Sequence, residues 1–331
     1  YTSMYPSIIV TKNLSPETVN VNCNNYITVP EINYTVCMEK RGFLSQALEP
    51  LLKLRILTKK SEKERIKKID KALKWMLVTS FGYTGYRNAK FGSIEVHEAI
   101  NAFARDMLVK TKEIAERNGF RFIHGIVDSI WVEGNGDIEK TIKEINEMSG
   151  LFIDVSGVYT WLKIIKEKSG DVGALNRYIA RKSDGSFKIR GIMLRRSDTP
   201  KFISNFQEDC LNILSSLDSP EKINDVREKI INIYRKYLDD LSLRKVNAKD
   251  LLIEKRVSRA PWEYEKNIPQ KNILDEFFKR GIELHPGERI KMLVYNEKPI
   301  RAVGEEKAED VDYSITFYSR ILRDALLEII P

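Results

Sequence analysis

The side chains able to neutralise or hold charge fall into separated groups along the chain. Arg55 and Lys59 stand four residues apart within a stretch of helical periodicity, which places both cations on one helix face. Lys74 and Val78 repeat that spacing in the following stretch. Asp128 stands in His124-Gly125-Ile126-Val127-Asp128-Ser129-Ile130, between two apolar runs that read as the strands of a hairpin turning at Gly125. Any metal used here must be held by oxygen. The three histidines (His97, His124, His285) and three cysteines (Cys23, Cys37, Cys210) have no zinc spacing, so carboxylates and Mg²⁺ or Mn²⁺ are the expectation. Three cysteines are also too few for a disulfide scaffold, which predicts unpaired thiols in a reducing interior.

The charge balance points the same way. Net charge is +8 and the sequence pI about 9.1. The excess is clustered: ten Lys/Arg lie between Lys53 and Lys74 against three acids. Clustering of this kind suits a polyanionic partner. Mean hydropathy is −0.35, and no apolar run approaches the roughly 20 residues of a spanning helix. No charged-then-apolar leader precedes Tyr1. A cytoplasmic chain without membrane contact is expected, and one that reads as a piece of something larger.

The elements that must position these groups follow from periodicity. Residues 1–36, rich in Tyr, Ile, Val, Thr and Asn and punctuated by Pro6, Pro16 and Pro30, read as short strands and loops. Leu44, Ala47, Leu48, Leu51 and Leu52, then Ile66, Ile69, Ala72, Leu73 and Met76, predict two helices joined by the charged tip 60–63. The second should break at Gly82–Tyr86. A third, with Ile100, Phe103, Ala104, Met107 and Ile114 on one face, should end near Asn118-Gly119. Strands are expected at 120–124, 130–132, 151–155 and 188–194, with turns at 169–171 and 183–185. Long amphipathic helices are expected at 201–217, 220–243 and 313–329.

Several of these segments match one family in order. Tyr1-Thr2-Ser3-Met4-Tyr5-Pro6-Ser7-Ile8-Ile9 resembles motif A of family B DNA polymerases, Asp-x-x-Ser-Leu-Tyr-Pro-Ser-Ile-Ile, beginning one residue after its Asp. Arg55-x3-Lys59 and Lys74-x3-Val78 resemble the two fingers helices of that family, with Val78 in place of Asn, Thr79 of Ser and Phe81 of Tyr. Residues 124–130 resemble motif C, Tyr-Gly-Asp-Thr-Asp-Ser, keeping Asp128 while Ile126 replaces the other carboxylate and Val127 the Thr. Asn176-Arg177-Tyr178 stands for Lys-Lys-x-Tyr, and Arg190-Gly191 with Arg196-Ser197-Asp198 for Arg-Gly-x4-Arg-Arg-Asp. Glu254–Arg259 and Trp262-Glu263-Tyr264 resemble the basic strand and Ser-Glu-Tyr element of the thumb.

The resemblance implies an α+β fold: an antiparallel palm sheet (1–40 and 83–198), helical-hairpin fingers (41–82) and a mainly helical thumb (199–331). It implies template-directed addition of deoxynucleoside triphosphates to a primer 3′ end, with Mg²⁺ or Mn²⁺ as cofactor. Asp128 would be catalytic and, with the Tyr1 carbonyl, a metal ligand. Ser3 and Met4 would offer backbone donors to phosphate, and Tyr5 would form the floor under the sugar. Arg55, Lys59 and Lys74 would clamp the triphosphate, with Phe81 near the nascent base pair. Asn176, Arg177, Tyr178, Arg196, Lys255, Arg256 and Arg259 would face primer–template DNA. The amino-terminal and exonuclease parts of the family are missing and would come from another segment or subunit. The altered positions resemble an archaeal group of secondary family B polymerases. They leave a catalytically silent DNA-binding or scaffolding subunit as the alternative.

Overall fold

Met4–Thr11, expected as strand or loop, folds as a helix, α1, in a computed structural model that describes residues 1–59, 61–167, 170, 172–219, 221–266 and 268–330. Its Ile8-Ile9-Val10 run favours strand by propensity, yet Ile8 and Ile9 are fully buried. Burial overrides the weak local preference. Pro6 falls in the first turn, where its missing N–H costs nothing.

α1 belongs to the first of two compact units, Tyr1–Ser156 and Gly157–Pro331. A short antiparallel pair follows it, β1 (Tyr26–Thr28) and β2 (Thr35–Cys37). Tyr26 pairs with Cys37, and Cys23 and Cys37 form a disulfide, their Cα atoms 5.6 Å apart. The expectation of unpaired thiols therefore fails for these two, because strand pairing closes a sequence separation of 14 that composition does not register. Cys210 remains a free, buried thiol.

The expected helical hairpin is present as α2 (Phe43–Thr58) and α3 (Glu64–Thr84). Leu44, Leu48 and Leu52 of α2 are buried, as their spacing predicts. On α3 the buried face is Leu73, Leu77 and Thr84, whereas Ile69 and Met76 are exposed. Lys60 of the tip lies outside the described residues. α3 runs through Gly82 and stops at Gly85, so the glycine-rich segment ends the helix later than expected. α4 (Ile94–Arg117) starts where the Ser93 hydroxyl accepts from the Val96 N–H, and it buries Val96, Ile100, Phe103, Met107 and Ile114.

β3 (Arg121–Ile126) and β4 (Ser129–Glu133) form the expected hairpin, but not with the expected turn. Gly125 is paired with Ile130, and the two-residue loop is Val127-Asp128. Val127 takes φ 54°, a left-handed conformation that strains a β-branched side chain. α5 (Ile138–Ser149) follows, a helix not anticipated from the sequence. Residues 151–155 are not a strand: their backbone is used individually, the Phe152 carbonyl accepting from the Thr2 N–H and the Ile153 N–H donating to Asn146.

The second unit opens with a three-stranded antiparallel sheet, β5 (Tyr159–Lys166), β6 (Gly173–Lys182) and β7 (Phe187–Arg190). β5 and β6 escaped the periodicity reading, and the strand expected over 188–194 ends at Arg190. Gly191 ends it with φ 67°; a Cβ there would meet the Asn176 carbonyl at 2.2 Å, so only glycine fits. Gly185 (φ 86°) sits in the expected 183–185 turn, whereas the expected 169–171 turn lies largely outside the described residues.

The helices α6 (Lys201–Leu214) and α7 (Ile223–Ser242) come next. After them come β8 (Ile253–Arg256), α8 (Pro269–Lys279), β9 (Arg289–Glu297), β10 (Ile300–Gly304) and α9 (Ile315–Ile329). β9 lies between β8 and β10 in a second antiparallel sheet. Trp161, Ile165, Ile179 and Ile192 share one core with Phe206, Ile230, Tyr318 and Leu322. Among the described residues no helix is long and apolar enough to cross a membrane.

Candidate active site

The first-unit candidates converge at the start of α1. The Tyr1 nitrogen donates to the Asp128 carbonyl at 2.5 Å, which joins the segment before α1 to the β3–β4 loop. The Tyr1 hydroxyl is bonded to that of Thr111 on α4. Two cations of α2 reach the same segment. Arg55, buried, donates to the Ser3 hydroxyl and lies 3.6 Å from the Asp70 carboxylate of α3. Lys59 donates to Thr2 Oγ1 at 2.8 Å. The i, i+4 spacing of Arg55 and Lys59 therefore serves one target.

Ser3 caps α1 with φ 53°, and the first turn behind it presents the positive end of a helix. Met4 is 2% exposed, so its side chain is committed to the core and only its backbone can serve a ligand. Tyr5 stacks on Phe81 with ring centroids 4.1 Å apart, and Phe81 stacks in turn on His97 at 4.7 Å. Burial raises the Tyr5 phenol above its ordinary pKa, and the nearby charge of Asp128 adds to the rise.

Two candidates behave differently. Lys74 is exposed on α3 and makes no ion pair among the described residues. Asp128 accepts through its backbone, while its carboxylate has neither a hydrogen bond nor an ion pair among those residues. An uncommitted carboxylate of this kind suits a hard divalent cation. Sequence reasoning missed Asp70, which holds Arg55. No spacing rule links it to the motifs. His97, one helix away from Phe81, was equally invisible.

The second unit holds the remaining candidates, in two states. Arg196 donates to both oxygens of Asp198 at 3.1 Å, and Lys255 donates to Asp198 Oδ2 at 2.7 Å. Burial by itself would raise the Asp198 carboxyl, but these two cations outweigh it and hold it at about 2. Arg177 donates to the buried Glu328 of α9 at 2.6 Å. Glu328 in turn accepts from Gln207 and the Met193 N–H. Tyr178 is 4% exposed and Asn176 is exposed beside Gly191. Arg256 and Arg259 are exposed and carry no ion pair among the described residues.

Short antiparallel sheets, a two-helix hairpin whose cations meet a helix start, and an acid at a hairpin tip together define a polymerase-type fold. The chain belongs to DNA polymerase family B, whose family model matches residues 1–330. It is 36% identical over 237 residues to DNA polymerase 2 of Saccharolobus solfataricus, covering 71% of this chain and 36% of that protein. It is 25% identical over 327 residues to DNA polymerase 1 of Aeropyrum pernix, covering 94% of this chain and 33% of that protein. The solved family B DNA polymerase of Pyrobaculum calidifontis has the same fold, with a TM-score of 0.69 at 24% identity over 99% of this chain and 44% of that one. The chain thus spans about a third of the length of the two relatives.

Proposed function

We propose that the chain carries the palm (1–40 and 83–198), fingers (41–82) and thumb (199–331) of a DNA-directed DNA polymerase. It adds deoxynucleotides to a primer 3′ end on a template. The observation that carries this reading is the convergence of Arg55, Lys59 and Asp128 on the segment before α1, with Tyr5 in the first turn of that helix. In this reading Arg55, Lys59 and Lys74 neutralise a bound triphosphate, which is how phosphoryl transfer is stabilised. The Ser3 and Met4 backbone amides supply donors at a helix start, a setting that favours anions. Tyr5, backed by Phe81, limits the space beneath the sugar. In the second unit Arg256 and Arg259, without an acid partner among the described residues, meet duplex phosphates, and Arg196 and Lys255 do so as a pair bridged by Asp198.

The free Asp128 carboxylate and the Tyr1 carbonyl would hold Mg²⁺ or Mn²⁺. Such an ion, when bound, supplies activation of the primer hydroxyl and neutralises developing charge. One carboxylate fits one ligand position, so the reading also requires the Asp that the family pattern places before Tyr1. Primer extension by the full-length protein tests it. Mg²⁺- or Mn²⁺-dependent extension that Asp128→Ala abolishes is the expected result, and extension surviving that substitution removes the assignment. A silent scaffold is the second reading, favoured by Ile126 at a carboxylate position and by Val78, 48% exposed where a phosphate donor is wanted. Inactivity that persists after Ile126→Asp and Val78→Asn decides for it. A separate exonuclease segment and a nucleoid location belong to the polymerase reading and stand or fall with it.

A further inference from the structure

Several helices of this protein pair cations with an acid one turn away. Lys110–Asp106 and Lys112–Glu116 on α4, and Lys140–Glu144 and Lys143–Glu147 on α5, are of this kind. The outer side of α3 differs from these. Lys67, Lys68 and Lys71 are exposed and have no ion pair among the described residues. The helix holds only Glu64 and Asp70 as acids, and Asp70 is taken by Arg55. Lys67 and Lys71 are four apart, a like-charge spacing that weakens a helix.

The next step of four along the same stripe is Trp75, 63% exposed, its indole without a ring contact or hydrogen bond among the described residues. A large indole left in water beside unpaired lysines is costly on both counts. Both costs are relieved by a ligand with a π-face and a string of negative charges.

We propose that Lys67, Lys68, Lys71 and Trp75 form a platform for a single strand of nucleic acid, its phosphates on the lysines and a base stacked on the indole. Successive residues of the stripe are about 6 Å apart along the helix, so more than one nucleotide is engaged. The strand it fits is the unpaired template, and this assignment of the occupant rests on the polymerase reading above. It does not involve Arg55, Lys59, Lys74 or Asp128.

The test measures binding of the full-length protein to a labelled oligo-dT 12-mer and to a blunt duplex of the same length, by fluorescence anisotropy across a salt series. Trp75→Ala should weaken single-strand affinity about tenfold, Trp75→Phe should keep most of it, and duplex affinity should change less than twofold. Lys68→Ala with Lys71→Ala should reduce the magnitude of the log–log salt slope by about 1.4. Unchanged single-strand affinity and slope in both variants overturn the platform. So does a Trp75→Ala effect confined to self-association in sedimentation, which would make the stripe a protein contact. A wild-type protein that extends no primer, yet loses single-strand affinity in Trp75→Ala, keeps the platform and overturns the polymerase reading instead.

Discussion

α2 and α3 carry cations at the same helical spacing and use them in opposite ways. On α2, Arg55 is buried against Ser3 and Asp70, and Lys59 is bonded to Thr2. On α3, Lys67, Lys68, Lys71 and Lys74 are exposed and unpaired among the described residues. The first set is held in place before any ligand arrives, so its field needs no reorganisation when charge develops. The second set is costly until something anionic binds. The second unit repeats the contrast: Arg177, Arg196 and Lys255 are committed to Glu328 and Asp198, whereas Arg256 and Arg259 are not. Charge alone therefore does not identify a contact residue here. The presence or absence of an acid partner separates positioned cations from waiting ones.

The largest effect should come from the acid itself. Asp128→Asn should lower single-turnover extension at least a hundredfold, on the order expected for an electrostatic catalytic group. Its carboxylate has no partner to lose among the described residues, so the melting temperature should hardly move. A large fall in stability would show that Asp128 is structural and would break its grouping with the waiting residues.

The two helices can be set against each other directly. Arg55→Ala should cost about 2 kcal/mol of stability, because it leaves Asp70 half-buried without its cation. Lys74→Ala should stay within about 0.5 kcal/mol while weakening triphosphate binding about tenfold. Urea unfolding together with nucleotide titration distinguishes the two. Equal stability losses would erase the contrast between positioned and waiting cations.

Tyr5→Ala should raise ribonucleotide incorporation about tenfold in single-nucleotide extension, as removal of a packed aromatic opens the pocket floor. Equal discrimination by wild type and variant would place the sugar gate elsewhere. For duplex DNA, Arg256→Ala should reduce the magnitude of the log–log salt slope by about 0.9. Arg196→Ala should reduce it less, since Asp198 already neutralises part of that charge.

The smallest expected effect concerns pH. The Asp198 carboxyl titrates at about 2 in the folded chain, below the ordinary carboxylate value. Its contribution is therefore fully present above about pH 4. It is lost only as pH falls through about 2. Between pH 5 and 9 the Arg196–Asp198–Lys255 bridge should be silent in melting curves, and Asp198→Asn should remove the acid-side component alone.

Much of this molecule is legible in the order of its residues. The hairpin α2–α3, the α4 face with Ile100, Phe103 and Met107, and the long helices of the second unit follow from apolar spacing, because a helix that buries one face must repeat it every three to four residues. The family resemblance rests on contiguous runs such as residues 1–9 and 124–130, and the antiparallel α+β class it implied is the class observed. Residues 4–11 misled the reading because β-branched propensity is weaker than the burial of Ile8 and Ile9. The hairpin turn was misplaced at Gly125 because a glycine usually marks a turn, whereas strand pairing here puts the strain on Val127.

What no spacing could supply is which partner each charge found. Arg55 and Asp70 stand on different helices, Asp198 meets Lys255 across 57 residues, and Arg177 meets Glu328 across 151. Cys23 and Cys37 join only because β1 and β2 pair. The sequence by itself determined the periodic faces, the family and the inventory of cations and acids. Only the tertiary structure decided which cations are neutralised and which remain free, because an ion pair depends on distance in space, and chain folding sets that distance independently of separation along the sequence.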